Sequence, residues 1–230
     1  MLRRRTVHAF ALLLATLAFV APAAPAAGSS PAPVISAGST AKKVIAITID
    51  DGDSPAVCRS MVKTLRHDHV PATFFPIGSN VASAPALWAS IARHFPIGNH
   101  TMHHIDLTSV PPGRARHEIR KQARTVEAVT GRPGIPYLRP PFGAFNPDVQ
   151  RLAGELGYRA LVMWSVSDAD TATHSKESGM LRDALRGTRG SILLMHCNAP
   201  VSADLLPQII AAYQARGFGF VTIPQLLHIR

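Results

Sequence analysis

Acidic residues are scarce in this chain: 14 Asp and Glu stand against 24 Lys and Arg over 230 residues, a formal charge of +10 at pH 7. Charged residues of both signs make up only 17%, while 47% are hydrophobic, which excludes a disordered chain and leaves enough apolar material for a full core. Cysteine occurs only twice, too rarely for a disulfide-dense scaffold. Aromatic residues are few, two Trp, three Tyr and nine Phe. Nowhere do they interleave with Lys and Arg as a base-stacking groove would, so no nucleic-acid partner is expected. The apolar run at 9–20 falls short of the roughly 18–20 residues that span a bilayer.

What is present begins with a leader. Arg3, Arg4 and Arg5 precede that apolar run, and small residues ending in APAA at 24–27 follow it, the pattern of a secretory signal peptide over residues 1–27. Its removal takes away three arginines and no acid, so the processed chain keeps a strong basic excess. Such an excess suits an anionic cell-wall surface and otherwise forms a solvated face. Residues 28–40 (GSSPAPVISAGST) read as a flexible lead-in, and 41–230 as one domain, expected to be a monomer outside the cell. An even cysteine count in an exported chain predicts one disulfide, Cys58 to Cys197.

Along the processed chain, β-rich runs and helical periodicity replace one another roughly every 30 residues, the rhythm of a parallel α/β fold. The β runs fall at 44–50, 72–77, 96–99, 137–139, 160–166, 191–195 and 218–223. Between them, Val57, Met61 and Leu65, then Leu87 and Ile91, then Ile119, Ala123 and Val126, recur at helical spacing. Asn146 and Pro147 mark a helix start for Val149, Leu152 and Leu156, and further helices are expected near 180–185 and over 205–213. Seven runs fit a compact distorted (β/α) barrel with about seven parallel strands, with a doubly wound open sheet as the alternative.

In parallel α/β folds ligands bind where strands end, and the unusual polar residues collect there. Asp50-Asp51-Gly52 closes the first run, His100 to His104 follow the third, Arg139-Pro140-Pro141-Phe142-Gly143 the fourth, and His196 the sixth. Imidazoles at i and i+4, His100 and His104, together with one carboxylate make a three-ligand metal site with an open position. His103 and Asp106 compete for those places on spacing alone. Asp50 and Asp51 would point to opposite faces of a regular strand, and serve one site only if the Gly52 turn breaks the alternation.

TIDDG, NHTMHH, RPPFG and LLMH, in this order, resemble the motifs of the NodB-like polysaccharide deacetylases, carbohydrate esterase family four, over roughly residues 43–225. The resemblance implies that Asp51, His100 and His104 hold a divalent ion, most often zinc, that Asp50 is the general base oriented by Arg139, and that His196 is the general acid. It also implies that Phe142, in place of the usual Tyr, offers its backbone N–H to the oxyanion. Leu193 and Pro141 would line the acetyl pocket. The chain departs from the family in WSVSDADT, where Ser167 replaces the first acid and Thr171 the Trp, so that either Asp168 or Asp170 substitutes for that acid or His196 is tuned by another group. Trp164 on the preceding strand reads as core, and Cys197 stands where an Asp usually follows the last histidine. The function implied is removal of N-acetyl groups from N-acetylglucosamine polymers such as peptidoglycan or chitin-like chains. An O-acetyl esterase acting on xylan and a non-catalytic wall-glycan binder are the alternatives.

Overall fold

A computed structural model of the protein describes residues 30–170 and 176–228. The signal peptide expected at 1–27 and Thr171 lie outside the described residues. The centre is β2 (Val44–Asp51), whose run of branched apolar residues is buried along nearly its whole length. It pairs in parallel with β3 (Ala72–Pro76) on one side and β7 (Ile192–His196) on the other. Its first residues also pair with β8 (Gly219–Phe220). A second parallel group contains β4 (Tyr137–Leu138) and β5 (Ala160–Val162). The expected run at 96–99 is reduced to two bridges, Ile97 to Phe74 and Asn99 to Leu138, and these join the two groups.

The run expected over 160–166 is divided. β5 stays beside β4, the Ser165 N–H crosses to the Ile192 carbonyl at 3.1 Å, and β6 (Val166–Ser167) continues along β7. Bending one run between two neighbours curls the sheets toward one another, giving the barrel-like α/β arrangement. Ile45, Ile47 and Ile49 face the helices, whereas Ala46, Thr48 and Asp50 point the other way, the period-two alternation of a strand covered on both sides.

Eight helices occur among the described residues: α1 (Pro55–His67), α2 (Gly78–Ser83), α3 (Pro85–Ala92), α4 (Pro112–Thr130), α5 (Pro147–Glu155), α6 (Glu177–Ala184), α7 (Pro200–Ala215) and α8 (Ile223–His228). Their ends follow the local chemistry. The Ser54 hydroxyl accepts from the Val57 N–H ahead of Pro55, the Asn146 side chain accepts from the Val149 N–H at 2.9 Å ahead of Pro147, and Gly131 closes α4 at φ +73°.

Two expectations are corrected. Residues 28–40 are not a flexible lead-in throughout: β1 (Val34–Ile35) pairs in parallel with β5, Ala32 is buried, and its N–H meets the Gln150 carbonyl at 2.9 Å. The Ser, Pro and Gly around Val34 and Ile35 gave no sign that the fold offers these two residues a free strand edge. The run expected at 218–223 yields only β8, because Thr222 and Gln225 form a reciprocal cap. The Thr222 N–H bonds Gln225 Oε1 at 2.8 Å, the Gln225 N–H bonds Thr222 Oγ1 at 3.3 Å, and α8 starts instead.

The disulfide is formed: Cys58 on α1 and Cys197 just past β7 are bonded across 139 positions. In the chain-entropy description a loop of that length contributes up to about 5 kcal/mol by restricting the unfolded chain. Replacing both cysteines with Ala should lower Tm by roughly 5–15 °C at this domain size. Calorimetry showing an unchanged Tm would remove the bond from the account of stability.

Candidate active site

The parallel register of β2 with β7 sets Asp50 opposite His196. Beyond Asp50 the strand stops alternating: Asp51 has φ +68° and Gly52 φ +90°, so the second carboxylate swings to the same side as the first. The break lies at Asp51 itself, one residue before the glycine expected to make it. Gly52 is also required for space, since a Cβ there would lie 2.4 Å from the Trp88 ring.

Asp51, His100 and His104 each bring a ligand atom within 4.8 Å of the others. His100 Nε2 lies 3.3 Å and His104 Nε2 3.6 Å from Asp51 Oδ1. That oxygen is buried and has no hydrogen-bond partner. An orphaned carboxylate oxygen facing two imidazole nitrogens is what a cation would satisfy. Ligand atoms about 2.0–2.1 Å from a tetrahedral ion stand roughly 3.3 Å apart, close to the spacing found. The second atoms are committed elsewhere: His100 Nδ1 donates to the Arg139 carbonyl at 2.7 Å, and Asn198 Nδ2 donates to Asp51 Oδ2 at 2.8 Å. Burial and the neighbouring His100 lower the His104 pKa, against the pull of Asp51, Asp50 and Asp53, and so favour the neutral, ligating imidazole. Burial alone would raise the Asp51 carboxyl; the close approach of His100, followed by His196 and the Asn198 hydrogen bond, outweighs it and holds the group well below the usual range.

The rivals on spacing are excluded by their partners. His103 turns to α4, where Nδ1 lies 3.0 Å from Glu118 Oε1 and its backbone N–H donates to Glu118 Oε2 at 2.9 Å. Asp106 accepts from the Thr108 N–H and hydroxyl, closing a local turn.

Asp50 stays outside the triad. Its Oδ1 accepts from Arg139 Nη1 at 2.7 Å, and its Oδ2 lies 3.8 Å from His100 Nε2. Arg139 is fully buried under the site, donating also to Thr48 Oγ1 and to the Val162 and Met163 carbonyls, with its guanidinium over the Phe75 ring at 4.5 Å. A buried cation with this many acceptors fixes the Asp50 carboxylate in position.

His196 lies on the other side. Its Nδ1 donates to Asp170 Oδ1 at 2.8 Å, while Asp170 Oδ2 accepts from the His196 N–H and the Ser202 hydroxyl, both at 3.0 Å. Of the two acids expected to compete for this role, Asp170 performs it. Asp168 is fully buried with Oδ2 unpartnered, and burial, then the Asp170 charge, push its carboxyl up to about 7. Burial would lower the His196 pKa, but the Asp170 hydrogen bond and the charges of Asp50, Asp170 and Asp51 raise it to about 9.

These groups open onto a pocket of about 330 Å³ walled by Pro140, Phe142, Gly143, Trp164 and Leu194. Three expectations are corrected here. Leu193 is fully buried in the helix-facing core and Leu194 lines the pocket, because residues two apart on β7 share a face and Leu194 shares that of His196. Pro141 is buried behind the rim, and its neighbour Pro140 does the lining. Trp164 is not core alone: partly buried against the cluster around Phe75 and Val162, it also walls the pocket, since it sits in the bend between β5 and β6. Phe142 occupies the rim at φ +60°, its side chain 70% exposed and its ring centroid 4.5 Å from that of His104. Asn198 escaped sequence reasoning altogether, because a lone Asn after a strand carries no signal until the chain turns it back onto Asp51.

The profile of the polysaccharide deacetylase family matches residues 37–161. A chitooligosaccharide deacetylase of Bradyrhizobium sp. (strain ANU 289) is 31% identical, covering 78% of this chain and 89% of its own length. The peptidoglycan-N-acetylglucosamine deacetylase PgdA of Listeria monocytogenes is 33% identical over 80% of this chain and 39% of its own. BA3943 of Bacillus anthracis, described as a CE4 family pseudoenzyme, has a crystal structure similar at a TM-score of 0.79 and 26% identity, covering 86% of this chain and 69% of that one. The fold and site thus define a carbohydrate-esterase-type hydrolase. More particularly, the chain belongs to the NodB-like polysaccharide deacetylases of carbohydrate esterase family four.

The His196 pKa stands above its ordinary 6.5, so this pair adds stability that is fully present below about pH 6.5 and lost as pH rises through about 9. Asp170→Asn removes the acceptor and should bring the His196 midpoint down by at least one pH unit, roughly the worth of such a charge-assisted bond. NMR titration of the ring reads this directly, and an unmoved midpoint would clear Asp170 of the role.

Proposed function

We propose that the protein is a secreted, zinc-dependent N-deacetylase acting on N-acetylglucosamine polymers of the peptidoglycan or chitin type, associated with the cell wall. The observation that carries this reading is the convergence on one pocket of an orphaned Asp51 oxygen between two imidazoles, a separate Asp50 held by Arg139, and His196 on the far side. The leader at 1–27 and the basic excess support export and a wall location. The named substrates of the two relatives, chitooligosaccharide and peptidoglycan, support the N-acetyl class.

Asp51, His100 and His104 would hold the ion, which when bound would supply Lewis-acid polarisation of the acetyl carbonyl and a water of pKa near roughly 7. Asp50, kept out of the ligand set by Arg139, takes the proton of the attacking water. Phe142, whose left-handed backbone aims the residue at the rim, offers its N–H to the developing oxyanion. Leu194 and Trp164 enclose the acetyl methyl group. His196 carries its second proton at neutral pH because Asp170 stabilises the imidazolium, and it delivers that proton to the departing amine.

A non-catalytic relative such as BA3943 shares this fold, so the side chains decide the matter. Acetate release from chitooligosaccharides and peptidoglycan, with acetylated xylan as comparison, tests the reading. Release from xylan alone would make the protein an O-acetyl esterase, and glycan pull-down without release a binding module. Asp50→Asn should reduce turnover about 100-fold or more while one equivalent of zinc remains bound. Loss of the ion together with activity would reassign Asp50 as a ligand.

A further inference from the structure

A second cavity, of about 580 Å³, lies between α4 and the segments 133–136 and 156–158 that lead into β4 and β5. It continues into another of about 360 Å³ that shares Val126, Pro133, Gly134 and Ile135. The catalytic pocket gathers at the carboxyl ends of β2 and β7, so this groove occupies the opposite pole, where the chain enters its strands.

The groove is basic. Arg120 and Arg124 stand one helical turn apart on α4, and Arg93 and Arg132 rim the adjoining cavity; all four are exposed. Among the described residues the guanidinium groups of Arg120, Arg124 and Arg132 have no ion-pair partner, and Arg93 bonds only the Ser90 hydroxyl at 3.0 Å. The other α4 arginines are neutralised, Arg114 by Glu118 and Arg116 by Glu155. One acid, Glu127, shares the wall. Among the described residues, unpaired positive charge is therefore concentrated along the exposed margin of the two cavities.

We propose that this groove is a docking site for a phosphodiester-linked anionic glycopolymer, an interaction separate from the deacetylase reading and independent of it. Guanidinium forks match the oxygens of phosphate, and an extended polymer can engage four of them across two joined cavities as a single small anion cannot. Ile135, Pro136 and Tyr158 supply an apolar floor for the linking polyol or sugar. Of the rings lining the two cavities, Phe95 is buried against Phe74 and Tyr158 is half-buried with its hydroxyl bonded to Asn99, so only the His94 imidazole is exposed and the groove lacks the run of stacking faces a nucleic-acid strand uses. Docking at this pole leaves the catalytic pocket facing away from the tether and free to take a glycan.

The test measures binding of poly(glycerol phosphate) to the purified protein by calorimetry at about 0.15 M salt. A triple variant, Arg120→Glu, Arg124→Glu and Arg132→Glu, is compared with Arg59→Glu, Lys63→Glu and Arg66→Glu on α1, which makes the same charge change elsewhere. The proposal expects affinity to fall about tenfold or more in the groove variant and less than about twofold in the α1 variant. Acetate release from neutral chitooligosaccharide should be unchanged in both, and a neutral Gln triple at the groove positions should show a smaller loss of the same kind. Equal losses in the groove and α1 variants, no binding by the wild type, or tighter binding of polygalacturonate or duplex DNA would overturn it.

Discussion

The structure turns on the placement of two carboxylates at the end of a strand buried on both sides. Asp50 and Asp51 leave β2 where water is largely excluded, and bare negative charge there is costly. The surroundings answer that cost in three ways. Arg139, fully buried below, takes one oxygen of Asp50; Asn198 takes one oxygen of Asp51; and the other oxygen of Asp51 faces His100 and His104. That oxygen is left without a partner, so the strand end itself presents a triad that could hold a cation.

The same logic separates two groups that would otherwise compete for one role. Asp50 and His196 are paired in register on neighbouring strands, yet Arg139 holds the first as an acceptor and Asp170 holds the second as a donor. A carboxylate held as acceptor and an imidazole held as donor thus face one pocket, the arrangement that the proposed acyl transfer to water would use. The segment 196–198 ties these groups together within three residues: His196 is bonded to Asp170, Cys197 to Cys58 on α1, and Asn198 to Asp51. The disulfide therefore anchors the stretch of rim that carries both contacts.

Residues of the site whose identity carries chemistry were legible in the chain. An Asp-Asp-Gly at a strand end, imidazoles four apart, an Arg before Pro-Pro and a strand-terminal His each suggest a role, and the structure gathers them at one site, with Arg139 buried beneath the pocket that the others line. Residues whose role depends on direction were not. Leu193 and Leu194 are the same residue type, and only the register of β7 shows which one shares a face with His196. Trp164 packs against the core as its strand position suggests, and only the bend between β5 and β6 shows that it also walls the pocket. Between Asp168 and Asp170, two residues apart, only the fold shows which carboxylate reaches the imidazole.

By itself, then, the sequence determined the α/β rhythm, the four polar strand ends and the pairing of Cys58 with Cys197, because each rests on local periodicity, chain order or a count of two. Tertiary structure alone decided that Val34 and Ile35 complete a sheet, that His103 goes to Glu118 and leaves His104 to Asp51, and that an unpaired basic groove lies at the pole away from the catalytic pocket. Each of these depends on a partner distant in the chain, and a side chain's direction and company are set only when the strands have taken their register.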